Sequence, residues 1–85
     1  MILRFSKKAE IDYAKLPHTI QKKADKKFAL LITNYRYPSL RARKMSGRDS
    51  FEARIDLHYR FTFQIEVDTI YVLTVGPHDE GLGKR

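Results

Sequence analysis

Hydrophobic and polar residues alternate most clearly in the second half of the chain, between residues 51 and 67. In the first run, Glu52, Arg54 and Asp56 occupy every second position, a period of two that is typical of a half-buried strand. The second run continues this alternation from position 59, with Arg60 among its polar residues. The pattern predicts two antiparallel strands, each with one face against a core. The apolar side of the first run is predicted to hold Phe51, Ala53, Ile55 and Leu57.

A third strand is predicted from Ile70 to Val75, because this segment is apolar on both faces except for Thr74. It should therefore lie deepest in the sheet. Asp68-Thr69 is predicted to close the hairpin before it, and Leu57-His58 or its neighbours to close the earlier one. One face of this three-stranded meander requires a cover of helices. The other face carries polar side chains, and functional residues are expected there.

The first half of the chain is predicted to supply the helical cover. Residues 2–5 indicate a short strand, and Ser6 is suited to cap a helix. Pro17 should end this first helix and can open the second, whose lysines at positions 22, 23, 26 and 27 lie mostly outside its apolar stripe, as in a solvated helix face. The predicted fold class is α+β, with an N-terminal strand and a two-helix hairpin packed on an antiparallel sheet that ends in a three-stranded C-terminal meander. The stripe of the second helix is predicted to consist of Ile20, Ala24, Phe28, Leu31 and Tyr35.

Length and composition limit the kinds of site that the chain can form. With 85 residues and 42% hydrophobic content, one small domain over residues 1–85 is expected, without room for a cofactor-binding subdomain. The chain has no cysteine and its three histidines are scattered singly, so neither a disulfide framework nor a metal site is expected, and no cofactor. The sequence shows no signal peptide and no 18-residue apolar run, which favours a cytoplasmic protein without a membrane partner.

The net charge of +7 is concentrated in the first half. Residues 1–50 hold 13 Lys and Arg against 4 Asp and Glu, whereas residues 51–85 hold 4 against 6. This distribution favours a polyanionic partner such as RNA, DNA or an acidic protein. The segment 34–50 places Tyr35 and Tyr37 beside a run of cations, which fits either an approach for a nucleic-acid backbone or a flexible basic loop. The cations of this segment are Arg36, Arg41, Arg43, Lys44 and Arg48.

The polar face of the meander holds the strongest candidates for chemistry. Arg54 and Arg60 lie on adjacent strands, where two guanidinium groups could bind one phosphodiester. Glu52 shares their face, so a functionally silent cross-strand salt bridge is the alternative. His78 follows the third strand in Gly76-Pro77-His78-Asp79 and could transfer a proton near neutral pH, or be an ordinary loop residue.

Six short motifs occur in the order strand, two helices and meander. They are Phe5-Ser6-Lys7-Lys8-Ala9, Leu16-Pro17, Pro38-Ser39-Leu40, Phe51-Glu52-Ala53-Arg54-Ile55, Tyr59-Arg60-Phe61 and Val75-Gly76-Pro77-His78-Asp79. Together they resemble the RelE/ParE superfamily of toxin-antitoxin toxins over nearly the whole chain. The resemblance implies a small toxin that a co-expressed antitoxin holds inactive. In the RelE-like branch such a toxin enters the ribosomal A site and cleaves mRNA, whereas the ParE branch blocks DNA gyrase. A homologue that has lost activity and acts as a binding module is a third alternative.

The resemblance also implies roles for single residues. Arg60 matches the arginine that RelE-like nucleases place on the scissile phosphate, and Arg54 falls where RelE has a catalytic lysine. Glu52 falls at another RelE lysine, so the charge is reversed there. His78 occupies the position of a histidine in YoeB-like relatives and of an arginine in RelE. Two features of relatives are missing here: a tyrosine shortly after residue 78, and an acidic base before the meander, where this chain has Ser39-Leu40-Arg41.

The resemblance to the RelE-like branch implies a metal-independent endoribonuclease that acts on mRNA in the 30S A site and has a cognate antitoxin as its protein partner. The 2′-hydroxyl of the RNA would attack the adjacent phosphate, and Arg54 and Arg60 would stabilise the charge on its oxygens. Glu52 is the candidate base and His78 the candidate acid, although the two could exchange roles. The residues expected to bind the RNA backbone are Arg41, Arg43, Lys44 and Arg48.

Overall fold

Two helices cover one face of a five-stranded sheet. The computed structural model describes residues 1–45 and 49–77. No helix within these ranges is long and apolar enough to cross a membrane. A 3₁₀ turn, Pro38–Leu40, lies in the connection between the second helix and the second strand. In chain order the elements are β1 (Ile2–Phe5), α1 (Lys7–Ala14), α2 (His18–Thr33), β2 (Arg43–Lys44), β3 (Phe51–Arg54), β4 (Tyr59–Glu66) and β5 (Thr69–Pro77).

The strands are arranged in the order β1-β5-β4-β3-β2. The predicted α+β architecture, with an N-terminal strand, a helix pair and a C-terminal meander, is confirmed. One detail differs, because β1 runs parallel to β5 and the sheet is therefore mixed rather than antiparallel. Two helices separate β1 from the meander, so no tight turn forces it to run antiparallel. The backbone N–H of Ser6 donates to the carbonyl of Val72 at 2.9 Å and fixes the end of this strand against β5.

The helix boundaries follow from local side-chain chemistry. Ser6 caps α1 as predicted, because its Oγ accepts a hydrogen bond from the backbone N–H of Ala9 at 3.0 Å. Pro17 lies at the N-cap of α2, directly before the first helical residue. α2 ends at Thr33, so the prediction that Tyr35 continues its stripe is wrong. The Tyr35 ring instead packs edge-on against Phe51, with 5.8 Å between the ring centroids.

The core lies between the helix pair and the sheet. The ring of Phe28 on α2 is in edge contact with both Phe5 and Phe61, at 5.1 Å between centroids in each case. Phe61 and Phe63 on β4 are fully buried. Burial of each of these two side chains contributes about 1.5–3 kcal/mol to the free energy of unfolding. The fully buried large side chains are Phe61, Phe63, Leu31, Leu40, Ile70 and Val72.

The first hairpin turn contains Leu57-His58 as predicted, whereas Leu57 itself and the second turn differ from the prediction. β3 ends at Arg54, and Leu57 is 73% exposed in the following turn rather than on the apolar face. The carboxylate of Asp56 accepts the backbone N–H groups of His58 and Tyr59 at 2.8 and 2.9 Å, which bends the chain before the alternation can continue. The second turn is centred on Val67-Asp68, so Thr69 already belongs to β5.

A β-bulge interrupts the pairing of β4 with β5. Thr62 pairs with Thr74, whereas Phe63 pairs with Val72, which leaves Leu73 as the extra residue. Val72 and Val75 therefore both face the core, although they are three residues apart. β5 lies inside the sheet, between β1 and β4, but the prediction that it lies deepest is only partly right, because β4 occupies the centre of the five strands. Its second face is not wholly apolar, because Tyr71 and Thr74 both lie on the side without helices.

Candidate functional site

Two arginines lie directly opposite each other on the face of the sheet that the helices leave uncovered. Arg54 on β3 pairs in register with Arg60 on β4, and Arg60 pairs with Gly76 on β5. Cα atoms of opposite residues in an antiparallel pair are about 4.5–5.5 Å apart. Because Gly76 has no side chain, no side chain lies directly opposite Arg60 on β5. The face thus presents two guanidinium groups side by side, as the sequence predicts.

Neither arginine is neutralised by an acidic residue within residues 1–45 and 49–77. The Nε atoms of Arg54 and Arg60 are both buried and lack a hydrogen-bond partner there. A buried donor without a partner costs about 1–3 kcal/mol. Like charges directly opposite in a sheet add to this cost. An anion bound between the two guanidinium groups would relieve the repulsion between their charges.

Glu52 lies on the same face, but its partner is neither of these arginines. Its carboxylate is 3.2 Å from the Nη2 of Arg43 on β2, which is the residue opposite it in the sheet. Only 6% of the Glu52 side chain is exposed, against 77% of the Arg43 side chain. The salt bridge that the sequence offered as an alternative, between Glu52 and Arg54 or Arg60, is therefore not formed. Glu52 instead forms a salt bridge with Arg43 on the edge strand β2.

Asp56 stabilises the turn that brings Arg60 opposite Arg54. Burial acts to raise the pKa of its carboxyl, but hydrogen bonds from the backbone of His58 and Tyr59, together with the nearby Lys23, outweigh it and lower the pKa. The Lys23 ammonium lies 3.5 Å from this carboxylate. The ionised form of Asp56 is therefore the one that stabilises the turn.

Asp12 holds the end of β5 where β1 no longer covers it. Its Oδ2 accepts a hydrogen bond from the backbone N–H of Val75 at 3.1 Å, one residue before Gly76. The hydroxyl of Ser6 donates to the carbonyl of Leu73 at 2.8 Å along the same edge. Sequence reasoning missed this role, because Asp12 also has the helical spacing of a surface pair with Lys8, which it makes at 3.1 Å.

The basic segment that enters the sheet does not act as one cluster. Arg41 is exposed in the left-handed backbone conformation, with φ of 50°, and caps the short turn before β2. Lys44 pairs with Phe51 and so lies on the opposite face of the sheet from Arg43. Tyr35 is not free for stacking, since it packs on Phe51 and under the guanidinium of Arg36. Arg48 and His78 lie outside the described residues.

Threonine hydroxyls complete the centre of the uncovered face. The hydroxyl groups of Thr62 and Thr74 form a hydrogen bond of 2.7 Å between their Oγ1 atoms, in which either can be the donor. The sequence contains one signal of the bulge. Thr74 is the polar residue of an otherwise apolar run and lies three residues after Tyr71, an odd spacing that regular alternation does not place on one face. Within residues 1–45 and 49–77, no three His, Asp or Glu side chains cluster as a metal site requires.

Comparison with known families gives one match that covers almost the whole chain. The model of the ParE toxin of type II toxin-antitoxin system, parDE, matches residues 3–82. No curated protein sequence matches the chain.

Solved structures of the same fold belong to several toxins. The YoeB/ParE toxin from Agrobacterium tumefaciens has a TM-score of 0.80 at 14% identity, over 92% of this chain and 99% of that one. The RelBE toxin-antitoxin complex of E. coli has a TM-score of 0.74 at 23% identity, over 88% of this chain and 93% of that one. The YoeB-YefM complex from Staphylococcus aureus has a TM-score of 0.76 at 16% identity, over 89% and 94%. At these identities the likeness shows the fold alone.

Proposed function

We propose that this chain, which belongs to the family of ParE toxins of type II toxin-antitoxin systems, is a toxin whose uncovered sheet face binds and cleaves RNA. One observation carries the proposal. Arg54 and Arg60 face each other with buried, unpartnered Nε atoms, an arrangement that disfavours folding and favours a bound phosphate. A purely structural sheet would be more stable with an acidic residue at one of these positions.

The proposed substrate is mRNA in the ribosomal A site. The 2′-oxygen forms a bond to the adjacent phosphorus while the bond from phosphorus to the 5′-oxygen breaks, which gives a 2′,3′-cyclic phosphate and a 5′-hydroxyl. Arg54 and Arg60 stabilise the charge that accumulates on the phosphoryl oxygens. In a site from which water is excluded, each such contact lowers the activation free energy by about 2.7–4 kcal/mol.

Two further residues are proposed to move protons. Glu52 takes the proton of the 2′-hydroxyl and His78 delivers one to the leaving 5′-oxygen, or the two exchange these roles. Because the carboxylate of Glu52 is held by Arg43, this pair has to open before Glu52 can act as a base. A phosphate arriving at the exposed Arg43 guanidinium would compete for it in this way. Arg41 and Arg48 are proposed to bind the RNA backbone, whereas Lys44 faces away from the arginine pair.

A cognate antitoxin is the proposed protein partner. The E. coli and S. aureus relatives were solved as complexes with antitoxins. The basic face of this chain fits an acidic, partly disordered segment that folds on binding and covers Arg54 and Arg60.

The experiment is primer extension on a ribosome-bound message, with the Arg60→Ala variant beside the wild type. We expect cleavage to fall about 100-fold to 1,000-fold, because the variant loses one charge-stabilising contact in the transition state. Lys26→Ala, on the exposed side of α2, is the control and should cleave almost as the wild type does. Thermal denaturation of each variant checks that it is folded. If the folded Arg60→Ala variant cleaves at the wild-type rate, the uncovered face does not take part in RNA cleavage.

A second candidate function is inhibition of DNA gyrase without enzymatic activity. The observation that favours it is the match of residues 3–82 to the ParE model. Induction of the toxin without a partner separates the two functions. RNA cleavage predicts that incorporation of labelled amino acids stops first. Gyrase inhibition predicts that supercoiling and DNA synthesis fail first while mRNA stays intact.

A further inference from the structure

A row of three side chains crosses the uncovered face at some distance from the arginine pair. Tyr71 on β5 pairs in register with Arg4 on β1 and with Gln64 on β4. Residues opposite one another in neighbouring strands share a face of the sheet. Tyr71 is half-buried and Arg4 is exposed. The row therefore combines an aromatic ring, a cation and an amide on a surface without helices.

The β-bulge is what places Tyr71 on this face. With regular alternation, Tyr71 and Thr74 would point to opposite sides, because they are three residues apart. The extra residue Leu73 restores both to the uncovered side, where Thr74 contacts Thr62. Bulges commonly re-aim side chains beside active sites. Here the bulge separates the arginine pair from the Tyr71 row along the same two strands.

Tyr71 is not part of the aromatic core. Within the described ranges, none of the ring contacts involves Tyr71; they link Phe5, Tyr13, Phe28, Tyr35, Phe51, Phe61 and Phe63. It also does not pack against the hydrophobic core, unlike Tyr13, Tyr35 and Tyr59. The ring on the uncovered face is thus available for another flat, apolar surface.

We propose that Tyr71, with Arg4 and Gln64 beside it, forms a second subsite that stacks a base of the RNA strand whose phosphate lies between Arg54 and Arg60. This inference rests on the proposed function and extends it. Gln64 follows Arg60 by four residues on β4, which places the two rows about 13 Å apart at about 3.3 Å per residue. A strand bound at the arginine pair can continue along β4 and β5 to reach the ring. Arg4 contacts the phosphate of the stacked nucleotide, and the Gln64 amide contacts the edge of its base.

The chemistry of the row favours single-stranded RNA over a protein. Stacking on an aromatic side chain combined with a neighbouring cation is the usual means by which a sheet binds single strands, and each stacked base contributes substantially to affinity. Both rows carry cations, Arg54 and Arg60 in one and Arg4 in the other. The charges of Arg43 and Glu52 compensate each other. A polyanion therefore meets cations at both ends of its path.

The experiment measures binding of an uncleavable probe to the full chain. The probe is a seven-nucleotide 2′-O-methyl oligouridine with one 2-aminopurine at its centre and a 3′-fluorescein, which lacks the attacking hydroxyl. We expect Tyr71→Ala to weaken binding in anisotropy about 10-fold, in line with the loss of one stacked base, and to abolish the quenching of 2-aminopurine. Tyr71→Phe should bind within about twofold of the wild type, since it keeps the ring. Arg4→Ala should reduce the slope of log K against log salt by about 0.7, the value for one phosphate contact on a single strand.

Controls make the possible failures distinguishable. Lys22→Ala, which removes a charge on the exposed side of α2, should leave both the salt slope and the quenching unchanged. Circular dichroism confirms folding of each variant, and the Phe and Arg4 variants decide the matter if Tyr71→Ala is unfolded. Wild-type binding and quenching by folded Tyr71→Ala, or an equal loss with Tyr71→Phe, would overturn the second subsite. If Arg54→Ala still weakens binding in that case, the proposed function stands without it. Absence of binding by the wild type, or no effect of Arg54→Ala, would overturn both.

Discussion

The two faces of the sheet are built from the same strands but differ in their side chains: one face is an aromatic core and the other holds cations that are unpaired in the part of the chain that the structure describes. On the face under the helices, aromatic rings from β1, α2 and β4 contact one another, and Phe61 and Phe63 are fully buried. On the other face, Arg54 and Arg60 oppose each other with unpartnered Nε atoms. The first face supplies the free energy of folding. The second uses part of that free energy to keep two like charges together, which is expected of a binding surface rather than a structural one.

The uncovered face itself contains a contrast between a paired charge and two unpaired ones. Glu52 is almost completely buried and is neutralised by Arg43, whereas the arginines beside it are not neutralised by any acidic side chain within residues 1–45 and 49–77. Arg43 and Glu52 thus neutralise each other within the fold, whereas Arg54 and Arg60 are proposed to serve binding. Three measurements test this difference.

The largest expected effect on stability on this face comes from Arg43→Ala. The substitution leaves the Glu52 carboxylate buried without its cation, which should lower the free energy of unfolding by about 1–2 kcal/mol. The value is at the low end for a buried charge because most of the Arg43 side chain is exposed. Urea denaturation provides the measurement. The double variant Arg43→Ala/Glu52→Gln should recover much of the loss, and a single variant as stable as the wild type would mean that water solvates Glu52 adequately.

A smaller effect is expected from the turn that connects β3 to β4. Asp56→Asn keeps an oxygen that can accept the backbone N–H groups of His58 and Tyr59 but removes the charge, and should cost about 1 kcal/mol near neutral pH. Because folding lowers the pKa of Asp56, its contribution is fully present above the unfolded value of about 3.9 and is lost as the pH falls through the folded pKa.

Denaturation curves of the wild type and Asp56→Asn between pH 2 and 7 test the sign, a range that brackets the usual carboxyl pKa of about 4. The difference in stability between them should shrink as the pH falls. A difference that stays constant or grows in acid would show that the Asp56 charge does not stabilise the turn.

The comparison of faces also shows what the sequence could predict. The alternation from Phe51 to Glu66 correctly assigned Glu52, Arg54 and Arg60 to one face, because a strand has a strict period of two. Ser6 was identified as a helix cap for a similarly local reason. These features depend on residues close together in the chain, where propensity and pattern carry the information.

Features that depend on contacts between distant residues could not be predicted from the pattern of hydrophobic and polar positions. β2 is only two residues long and has no alternation to detect, so the partner of Glu52 was missed. The bulge at Leu73 shifts the faces of β5 and exposes Tyr71, and it depends on pairing with β4. The bond from Val75 to Asp12 joins residues 63 positions apart. Roles for Arg48 and His78 stay predictions, since both lie outside the described residues.

The central claim is that Arg54 and Arg60 are kept together for an anion and not for stability. The most direct test compares the free energy of unfolding of the wild type with that of Arg60→Met, which keeps the apolar stem of the side chain and removes its charge. At low salt, we expect Arg60→Met to be as stable as the wild type or more stable by up to about 1 kcal/mol, because a like-charge pair is relieved. The same variant should lose binding of the uncleavable RNA. A variant that is less stable by more than about 1 kcal/mol and still binds RNA as the wild type does would show that the arginine pair serves stability and not an anion.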